Sequence, residues 1–323
     1  METLLSYCRQ RETIMTTLDI KTLALPTSWH MDTVQDVAGP LRLVKWDLRD
    51  DPPIPAREID AVVFHHPAGK AGLARLGQLP NLKLVQTQST GYDGFVEAAG
   101  GATVANAYGL HAEATAELAL GLILAGQRSL FDFAVDQKAH RWAPKQTPGL
   151  VDRTVLIIGA GGIGRAIAER LLPFGVTLLR VGQRAREDDL GVIRSNSELP
   201  ALLPQADIVV LITPLNDATH HLVNADFLAR LPDGALVVNV ARGPVVDTDA
   251  LLAELQSGRL RAALDVVEPE PLPGDHPLWD APNTLITPHV GGRSEALKPR
   301  LSAFLRDQVG RIARGEPLLN IVS

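Results

Sequence analysis

The stretch TVLIIGAGGIG, residues 154–164, decides the fold class of this chain. Its first five residues are apolar or β-branched, which predicts a buried strand. The rest follows the pattern G-x-G-x-x-G and opens a segment with helical spacing. Gly159 permits a tight turn, Gly161 lets the backbone approach a pyrophosphate, and Gly164 lets helix and strand pack closely. The stretch therefore predicts a loop that binds the phosphates of a dinucleotide at a helix N-terminus.

Short apolar runs alternate with helical patterns on both sides of this loop. The later runs are continuously apolar, which is typical of parallel strands covered on both faces. We expect an α/β protein with two doubly wound parallel sheets. The predicted strands are 21–25, 41–45, 61–64, 84–86 and 103–105 in a first series, and 154–158, 177–181, 208–211, 235–239, 262–265 and 284–287 in a second.

Three further segments organise the chain around these strands. Residues 113–126 are apolar nearly all round, which predicts a buried helix. Residues 142–150 contain two prolines and predict a loop before the second series. Residues 295–314 have helical spacing and follow the last strand, so we expect them to pack back on the first domain.

Composition excludes several classes of protein. The chain of 323 residues carries 31 Lys and Arg against 37 Asp and Glu, a net charge of −6, which argues against nucleic-acid binding. No apolar stretch is long enough for a membrane span. Cys8 is the only cysteine and the N-terminus lacks a signal-peptide core, which fits a reducing, cytoplasmic compartment. Residues 1–17 are polar and without pattern, so either they form a tail or Met15, rather than Met1, is the natural start.

The strand after the glycine loop indicates which dinucleotide is bound. An NAD site normally has an acid at the end of this strand for the ribose hydroxyls. Here the strand continues into Gly182, Gln183, Arg184, Ala185 and Arg186. A small neutral residue followed by two arginines leaves room and charge for a 2′-phosphate, so we predict NADPH in preference to NADH. The acids at 188 and 189 lie too far along to replace the missing one.

Three polar segments follow predicted strands of the second series: NVARG (239–243), DVVEPEP (265–271) and TPHVGG (287–292). Ligands bind at the carboxyl ends of strands in a doubly wound sheet. Arg242 can bind a substrate carboxylate and polarise a keto oxygen, and His289 can protonate that oxygen as a hydride arrives. A glutamate beside the imidazole favours its charged form, and both Glu268 and Glu270 are candidates.

From Asn106 to Gly292 the chain resembles the D-isomer-specific 2-hydroxyacid dehydrogenases. The matching motifs are GAGGIG (159–164), ITPLNDATHHLVN (212–224), VVNVARGPVVD (237–247), ALDVVEPEPLP (263–273) and TPHVGG (287–292). The resemblance implies that Arg242 binds the substrate and that His289 is the acid/base. It also implies that Glu270, directly before the proline of the E-P-L-P run, is the carboxylate partner of the histidine.

The resemblance further implies a domain organisation. A Rossmann NAD(P)-binding domain, residues 111–294, is inserted into a flavodoxin-like substrate domain made of residues 18–110 and 295–323. It implies a homodimer formed around residues 110–150. Within this segment, Trp142 either closes the active site of the partner or packs within its own loop.

The remaining site residues come from the glycine loop, from the residues that follow the next strand and from the same resemblance. Cofactor contacts are expected from Thr115, Gly159, Gly161, Gly162, Ile163, Gly164, Gln183, Arg184, Arg186, Thr213, Pro214, Val240 and Asp265, the last facing the nicotinamide carboxamide. Substrate contacts are expected from Arg242 and from two loops of the first domain, through Ala68 and Gly69 in HPAG (66–69) and Thr90 and Gly91 in STGYD (89–93).

The sequence thus predicts an NADPH-dependent reductase that converts a small 2-keto acid, such as glyoxylate or hydroxypyruvate, into a D-2-hydroxy acid. Two alternatives are an enzyme like 3-phosphoglycerate dehydrogenase and a non-catalytic dinucleotide sensor like a related corepressor. We expect no metal. The paired histidines at 65–66 and 220–221 cannot share one face of a helix or strand, and no cysteine or carboxylate cluster completes a zinc set.

Overall fold

The computed structural model of the protein describes residues 18–65 and 68–323. Cys8 and the alternative start at Met15 lie outside the described residues, as do His66 and Pro67 of the HPAG loop. The chain divides into two compact units. The first comprises the described residues up to His111 together with 295–323, and the second comprises residues 112–294.

A parallel sheet of five described strands forms the centre of the first unit, in the order β2-β1-β3-β4-β5. The strands are β1 (Thr22–Leu25), β2 (Arg42–Lys45), β3 (Ala61–Val63), β4 (Leu84–Gln86) and β5 (Thr103–Ala105). The helices are α1 (Ser28–Val34), α2 (Gly69–Leu76), α3 (Phe95–Ala98) and, from the end of the chain, α10 (Leu297–Arg314). All of these strands are paired in parallel.

The C-terminal helix α10 is built into the core of this first unit. Leu305 and Val309 are buried in the same cluster as Leu23 and Leu25 of β1. The buried amide Nε2 of Gln308 donates to Gln86 Oε1 at 2.7 Å. The segment therefore packs on the first sheet although it follows the second sheet in sequence.

The second unit contains a larger sheet of eight described strands, in the order β13-β12-β11-β10-β6-β7-β9-β8. Its strands are β6 (Thr154–Ile158), β7 (Thr177–Gly182), β8 (Arg186–Asp188), β9 (Gly191–Ser195), β10 (Ile208–Leu211), β11 (Leu236–Asn239), β12 (Arg261–Leu264) and β13 (Thr284–Ile286). The helices are α4 (Ala112–Gln127), α5 (Leu130–Lys138), α6 (Gly162–Leu171), α7 (Leu199–Leu202), α8 (Ala225–Leu228) and α9 (Thr248–Gln256). The expected α/β architecture with two parallel sheets is confirmed.

The strand order of the second sheet reverses at β6. The chain adds β7 on one side of β6 and later adds β10 on the other. Such a reversal leaves a crevice beyond the carboxyl ends of the two central strands, where ligands of doubly wound sheets bind. The glycine loop directly follows β6, so the topology places the loop at this crevice.

The hairpin of β8 and β9 was not among the predicted strands. β9 pairs in parallel with β7, and β8 closes the sheet edge by pairing antiparallel with β9. Arg186, which follows the predicted strand 177–181, begins β8. The residues of β8 are Arg-Glu-Asp, which carry no apolar signal. An ion pair between the buried Arg180 of β7 and Asp188 of β8, at 2.5 Å, holds this edge in place.

The apolar segment predicted as a buried helix forms α4. Ala116, Ala119 and Ile123 are fully buried within the second unit. The expected helix at residues 113–126 is thus present, with α5 following it as an additional helix that was not predicted. No single described helix is long and apolar enough to cross a membrane. Only α4 and α5 together pass that test, by length and composition alone, across a bend of 67°.

The glycine loop generates a prediction about stability. A Cβ placed on Gly164 would lie 1.8 Å from the carbonyl oxygen of Gly159, whereas one placed on Gly161 would meet nothing within 4 Å. We expect Gly164→Ala to lower the free energy of unfolding by roughly 1–3 kcal/mol, because backbone must shift to admit the methyl group. Denaturant-induced unfolding measures this change.

Gly161→Ala is the matched control, since it adds the same methyl group in the same loop. We expect it to change the free energy of unfolding much less than Gly164→Ala. Equal destabilisation by the two substitutions would contradict the tight contact between helix and loop.

Candidate active site

The glycine loop passes between β6 and α6 in a conformation that only glycine adopts easily. Gly159 has φ +120°, and a Cβ there would lie 2.4 Å from the carbonyl oxygen of Ile212. Its N–H donates to the carbonyl oxygen of Val181 in β7 at 2.9 Å. Open space lies beside Gly161, and α6 begins at Gly162. The loop therefore offers close backbone approach and a helix N-terminus to a pyrophosphate.

Arg186 lies directly against this loop. Its Nη2 donates to the carbonyl oxygen of Ala160 at 2.6 Å. A Cβ on Gly182, at the end of β7, would lie 3.1 Å from Nη1 of the same arginine. The guanidinium group thus lies over the end of β7, where a dinucleotide site normally has an acid. Gln183 and Arg184 are exposed in the turn between β7 and β8.

The two acids that follow are bound to arginines. Asp188 accepts hydrogen bonds from the buried Arg180 at 2.5 and 3.0 Å, which lower the pKa of the Asp188 carboxyl. Hydrogen bonds from Arg165 in α6 lower the pKa of Asp189 to about 2. These carboxylates stay ionised at neutral pH and are held in structural ion pairs.

The strands β11, β12 and β13 are aligned so that their carboxyl ends lie side by side. Asn239, Leu264 and Ile286 occupy matching register positions near these ends. The three polar segments predicted as a site leave the sheet from this edge. Parallel pairing therefore gathers segments that are far apart in sequence.

Two histidine–carboxylate pairs involve these segments. Nδ1 of His289 hydrogen-bonds Glu270 Oε1 at 2.5 Å, whereas Glu268 Oε2 contacts Nε2 of His221 at 3.0 Å. A carboxylate accepts a hydrogen bond, so Nδ1 of His289 carries its proton and Nε2 is the nitrogen left for a ligand. The side chains of His289 and Glu270 are 48% and 40% exposed, which leaves the pair open to a ligand. The pairing of Glu268 with His221 had no signal in the sequence.

Arg242 lies in a turn that contacts the segment carrying the two glutamates. A Cβ on Gly243 would lie 1.8 Å from the carbonyl oxygen of Val267, so the two backbones touch. Asn239 Nδ2 donates to the carbonyl oxygen of Arg242 at 3.0 Å, and Arg242 Nη1 donates to the carbonyl oxygen of Ala241 at 2.7 Å. The half-buried Arg242 is therefore held by hydrogen bonds within its own turn, and that turn packs against the backbone at Val267.

Asp265 holds the turn that carries His289. Asp265 is only 3% exposed, and its carboxylate accepts hydrogen bonds from Thr287 Oγ1, Val290 N and Gly291 N at 2.6, 2.9 and 2.8 Å. Its carbonyl oxygen accepts from the N–H of His289 at 2.8 Å. His289 itself has φ +52°, which is uncommon for a residue with a side chain. The cofactor contact that the family resemblance implies for Asp265 remains a prediction, and the structure adds that its carboxylate holds this turn.

Other predicted cofactor residues of the second unit lie at the ends of neighbouring strands. Thr213 and Pro214 follow β10, and the Thr213 hydroxyl donates to the carbonyl oxygen of Pro214 at 2.9 Å. Val240 follows β11 and is buried. Thr115 in α4 is buried. It lies near the turn of His289, since a Cβ on Gly291 would be 3.4 Å from the methyl group of Thr115.

The predicted substrate loops lie at the ends of adjacent strands of the first unit. Ala68 and Gly69 stand at the start of α2, after β3, and Gly69 has φ +56°. Thr90 and Gly91 follow β4. Asn106 Nδ2 donates to the carbonyl oxygen of Thr90 at 2.7 Å. The Thr90 hydroxyl is shielded from solvent and has no hydrogen-bond partner among the described residues.

Comparison with known proteins identifies the family. The model for the D-isomer specific 2-hydroxyacid dehydrogenase NAD binding domain matches residues 120–291. The human glyoxylate reductase/hydroxypyruvate reductase is 34% identical over 303 residues, covering 87% of this chain and 90% of its own.

Solved structures give the same result. The structure of a D-isomer specific 2-hydroxyacid dehydrogenase from Xanthobacter autotrophicus Py2 in complex with NADPH and MES matches with a TM-score of 0.80 and 29% identity, covering 94% of this chain and 98% of that one. An NADPH-dependent glyoxylate/hydroxypyruvate reductase from Sinorhizobium meliloti, with NADP and malonate, matches with a TM-score of 0.77 and 28% identity, covering 94% and 97%. The chain therefore belongs to the D-isomer-specific 2-hydroxyacid dehydrogenases, enzymes with a Rossmann domain that binds a nicotinamide dinucleotide.

Proposed function

We propose that this enzyme reduces small 2-keto acids of the glyoxylate and hydroxypyruvate type to D-2-hydroxy acids, and that it prefers NADPH. The observation that carries the reaction type is the 2.5 Å hydrogen bond between His289 and Glu270. This pair leaves the same sheet edge as the segment of Arg242. A proton donor and a carboxylate-binding cation are the two groups that reduction of a 2-keto acid needs from the protein.

The residues of the second unit fit a dinucleotide. The open space beside Gly161 and the N-terminus of α6 suit the pyrophosphate, and Arg186 suits a phosphate on the adenosine ribose. Thr115, Thr213 and Val240 would line the rest of the site. When bound, the nicotinamide supplies the hydride.

The protein supplies the proton and the orientation. Glu270 accepts the hydrogen bond of Nδ1 and thereby directs Nε2 of His289 toward the ligand side, where it donates a proton to the keto oxygen. Arg242 binds the carboxylate of the substrate and polarises the keto group. In the first unit, Gly69, Thr90 and Gly91 remain proposed substrate contacts, and the Thr90 hydroxyl has no hydrogen-bond partner among the described residues. The N–H of Ala68 already donates to the carbonyl oxygen of His65 at 2.9 Å, so Ala68 would contact the substrate by another atom.

The substrate class is supported by the names of the relatives. The human relative is a glyoxylate reductase/hydroxypyruvate reductase, and the enzyme from Sinorhizobium meliloti reduces the same two classes of compound. The two bound ligands of that structure, NADP and malonate, are a phosphorylated dinucleotide and a small carboxylate. Both ligands are anions, which agrees with the positive charges of Arg186 and Arg242 in this chain.

Removal of the proton donor tests the reaction type. We expect the unaltered enzyme to turn over glyoxylate and hydroxypyruvate with NADPH, and His289→Ala to lower kcat by roughly 10²–10⁴-fold because general acid catalysis is lost. Steady-state rates of NADPH oxidation measure both. Tight dinucleotide binding without turnover of either acid would favour a sensor, and preference for 3-phosphohydroxypyruvate would favour the 3-phosphoglycerate dehydrogenase alternative.

The two histidine–carboxylate pairs provide a matched control for this assignment. Glu270→Gln removes the carboxylate that contacts His289, whereas Glu268→Gln removes the one that contacts His221. We expect the first substitution to reduce kcat more than the second. The reverse order would show that Glu270 is not the partner used in the reaction.

The cofactor preference depends on Arg186. We expect Arg186→Ala to lower kcat/KM for NADPH at least tenfold and to change kcat/KM for NADH little, since NADH lacks the 2′-phosphate. Arg194→Ala is the control, because Arg194 is an exposed arginine of the same hairpin that pairs with Glu198 at 3.0 Å. A parallel loss for both cofactors in Arg186→Ala would refute a specific phosphate contact.

We further propose that two copies of the chain associate through the α5 region. Leu130, Phe131 and Val135 are 53%, 53% and 46% exposed, and Trp142 is 97% exposed, so this tryptophan does not pack within its own loop. Exposed large apolar side chains concentrated in one part of the chain are typical of protein interfaces. We expect a dimer by size-exclusion chromatography with light scattering, and a shift toward monomer for Phe131→Asp. A monomeric unaltered protein at micromolar concentration would contradict the proposal.

A further inference from the structure

His220 and His221 lie in the turn between β10 and α8. Adjacent side chains do not share one face of a helix or a strand, which is why the sequence predicts no metal at these histidines. In this turn His221 has φ +48°, and the two imidazole rings stack with centroids 4.0 Å apart at 26°. Adjacent histidines are thus brought to the same side of the backbone.

Glu268 brings a carboxylate to the same place. Its Oε2 lies 3.0 Å from Nε2 of His221. One ligand atom from each of the three residues His220, His221 and Glu268 lies within 4.8 Å of the other two. Two imidazoles and one carboxylate therefore converge outside the pair formed by His289 and Glu270.

The distances between these ligand atoms can be compared with those in a tetrahedral zinc site. Zn²⁺ binds imidazole nitrogen and carboxylate oxygen at about 2.0–2.2 Å, so ligand atoms in a tetrahedral site lie about 3.3 Å apart. His221 and Glu268 are already close to this separation. His220 is exposed, so rotation of its side chain can bring its nitrogen in by the remaining distance.

The backbone around two of the three ligands is anchored. The N–H of His221 donates to the carbonyl oxygen of Pro244 at 2.8 Å. The hydroxyl of Thr248 donates to the carbonyl oxygen of Glu268 at 2.8 Å. Thr219, directly before the histidines, donates to the carbonyl oxygen of Pro214 at 2.7 Å and fixes the turn. Binding would thus require little backbone ordering, because two ligands are held in place beforehand.

We propose that His220, His221 and Glu268 bind a divalent transition-metal ion of the zinc class, with water completing the coordination. Imidazole and carboxylate donors select Zn²⁺, Co²⁺, Ni²⁺ or Cu²⁺ over Ca²⁺ and Mg²⁺, which prefer sites made entirely of oxygen. With neutral imidazoles the cluster carries one negative charge, which a divalent ion neutralises. The proposal is independent of the proposed reaction, because no step of that reaction uses these three side chains.

Direct titration of the untagged chain of 323 residues tests the site. After treatment with a chelator, Co²⁺ is added and its visible absorbance is followed, with Zn²⁺ used to displace it. We expect one ion to bind per chain, with an affinity that falls when the pH is lowered from 7.5 to 5.5, because protonated imidazoles cannot ligate. Zn²⁺ should also raise the midpoint of thermal unfolding, since it binds the folded state.

Three variants assign the binding to these residues. We expect His220→Ala and Glu268→Gln each to weaken Co²⁺ binding at least tenfold, and His140→Ala, which removes an exposed histidine elsewhere in the second unit, to leave it unchanged. His220→Ala is the decisive variant, because the exposed position keeps the risk of misfolding low; its thermal unfolding without metal checks this. Absence of saturable binding, or equal affinity in the unaltered protein and His220→Ala, would overturn the proposal.

Discussion

Parallel pairing of β10, β11, β12 and β13 is the constraint on which the candidate site of the second unit depends. Parallel strands point the same way, so each carboxyl end, and each segment that follows it, leaves the sheet at one edge. The polar segments of Arg242, Glu270 and His289 have no local tendency to meet. They are neighbours because the strands before them are neighbours.

Strand pairing brings the segments together, but close backbone contacts and one buried carboxylate fix their geometry. Gly243 lets the Arg242 turn touch the backbone at Val267, and the carboxylate of Asp265 holds the turn of His289 through three hydrogen bonds. A buried carboxylate needs such donors, since burying it without them is costly. These donors belong to residues on either side of His289. The hydrogen bonding of the Asp265 carboxylate and the backbone conformation of His289 therefore depend on each other.

The edge beside the glycine loop shows how electrostatic contacts can replace an apolar pattern. β8 consists of three charged residues, and its place in the sheet is secured by the pair of Arg180 and Asp188. This arrangement directs Arg186 back to the carbonyl oxygen of Ala160. The arginine that we propose as the contact for the cofactor's 2′-phosphate thus lies on a strand without apolar residues.

The sequence by itself determined the fold class and the family. Continuous apolar runs predict buried parallel strands, and the glycine spacing of 159–164 predicts a phosphate loop, because both signals are local and depend on residue type. Only the tertiary structure decided which partners those residues have. The contact of Glu268 with His221 and the turn held by Asp265 join groups that are distant along the chain. The hairpin of β8 and β9 includes a strand without apolar periodicity. The adjacent residues His220 and His221 are a further example. Whether their side chains lie on one side depends on the backbone conformation of their turn, and tertiary contacts determine that conformation.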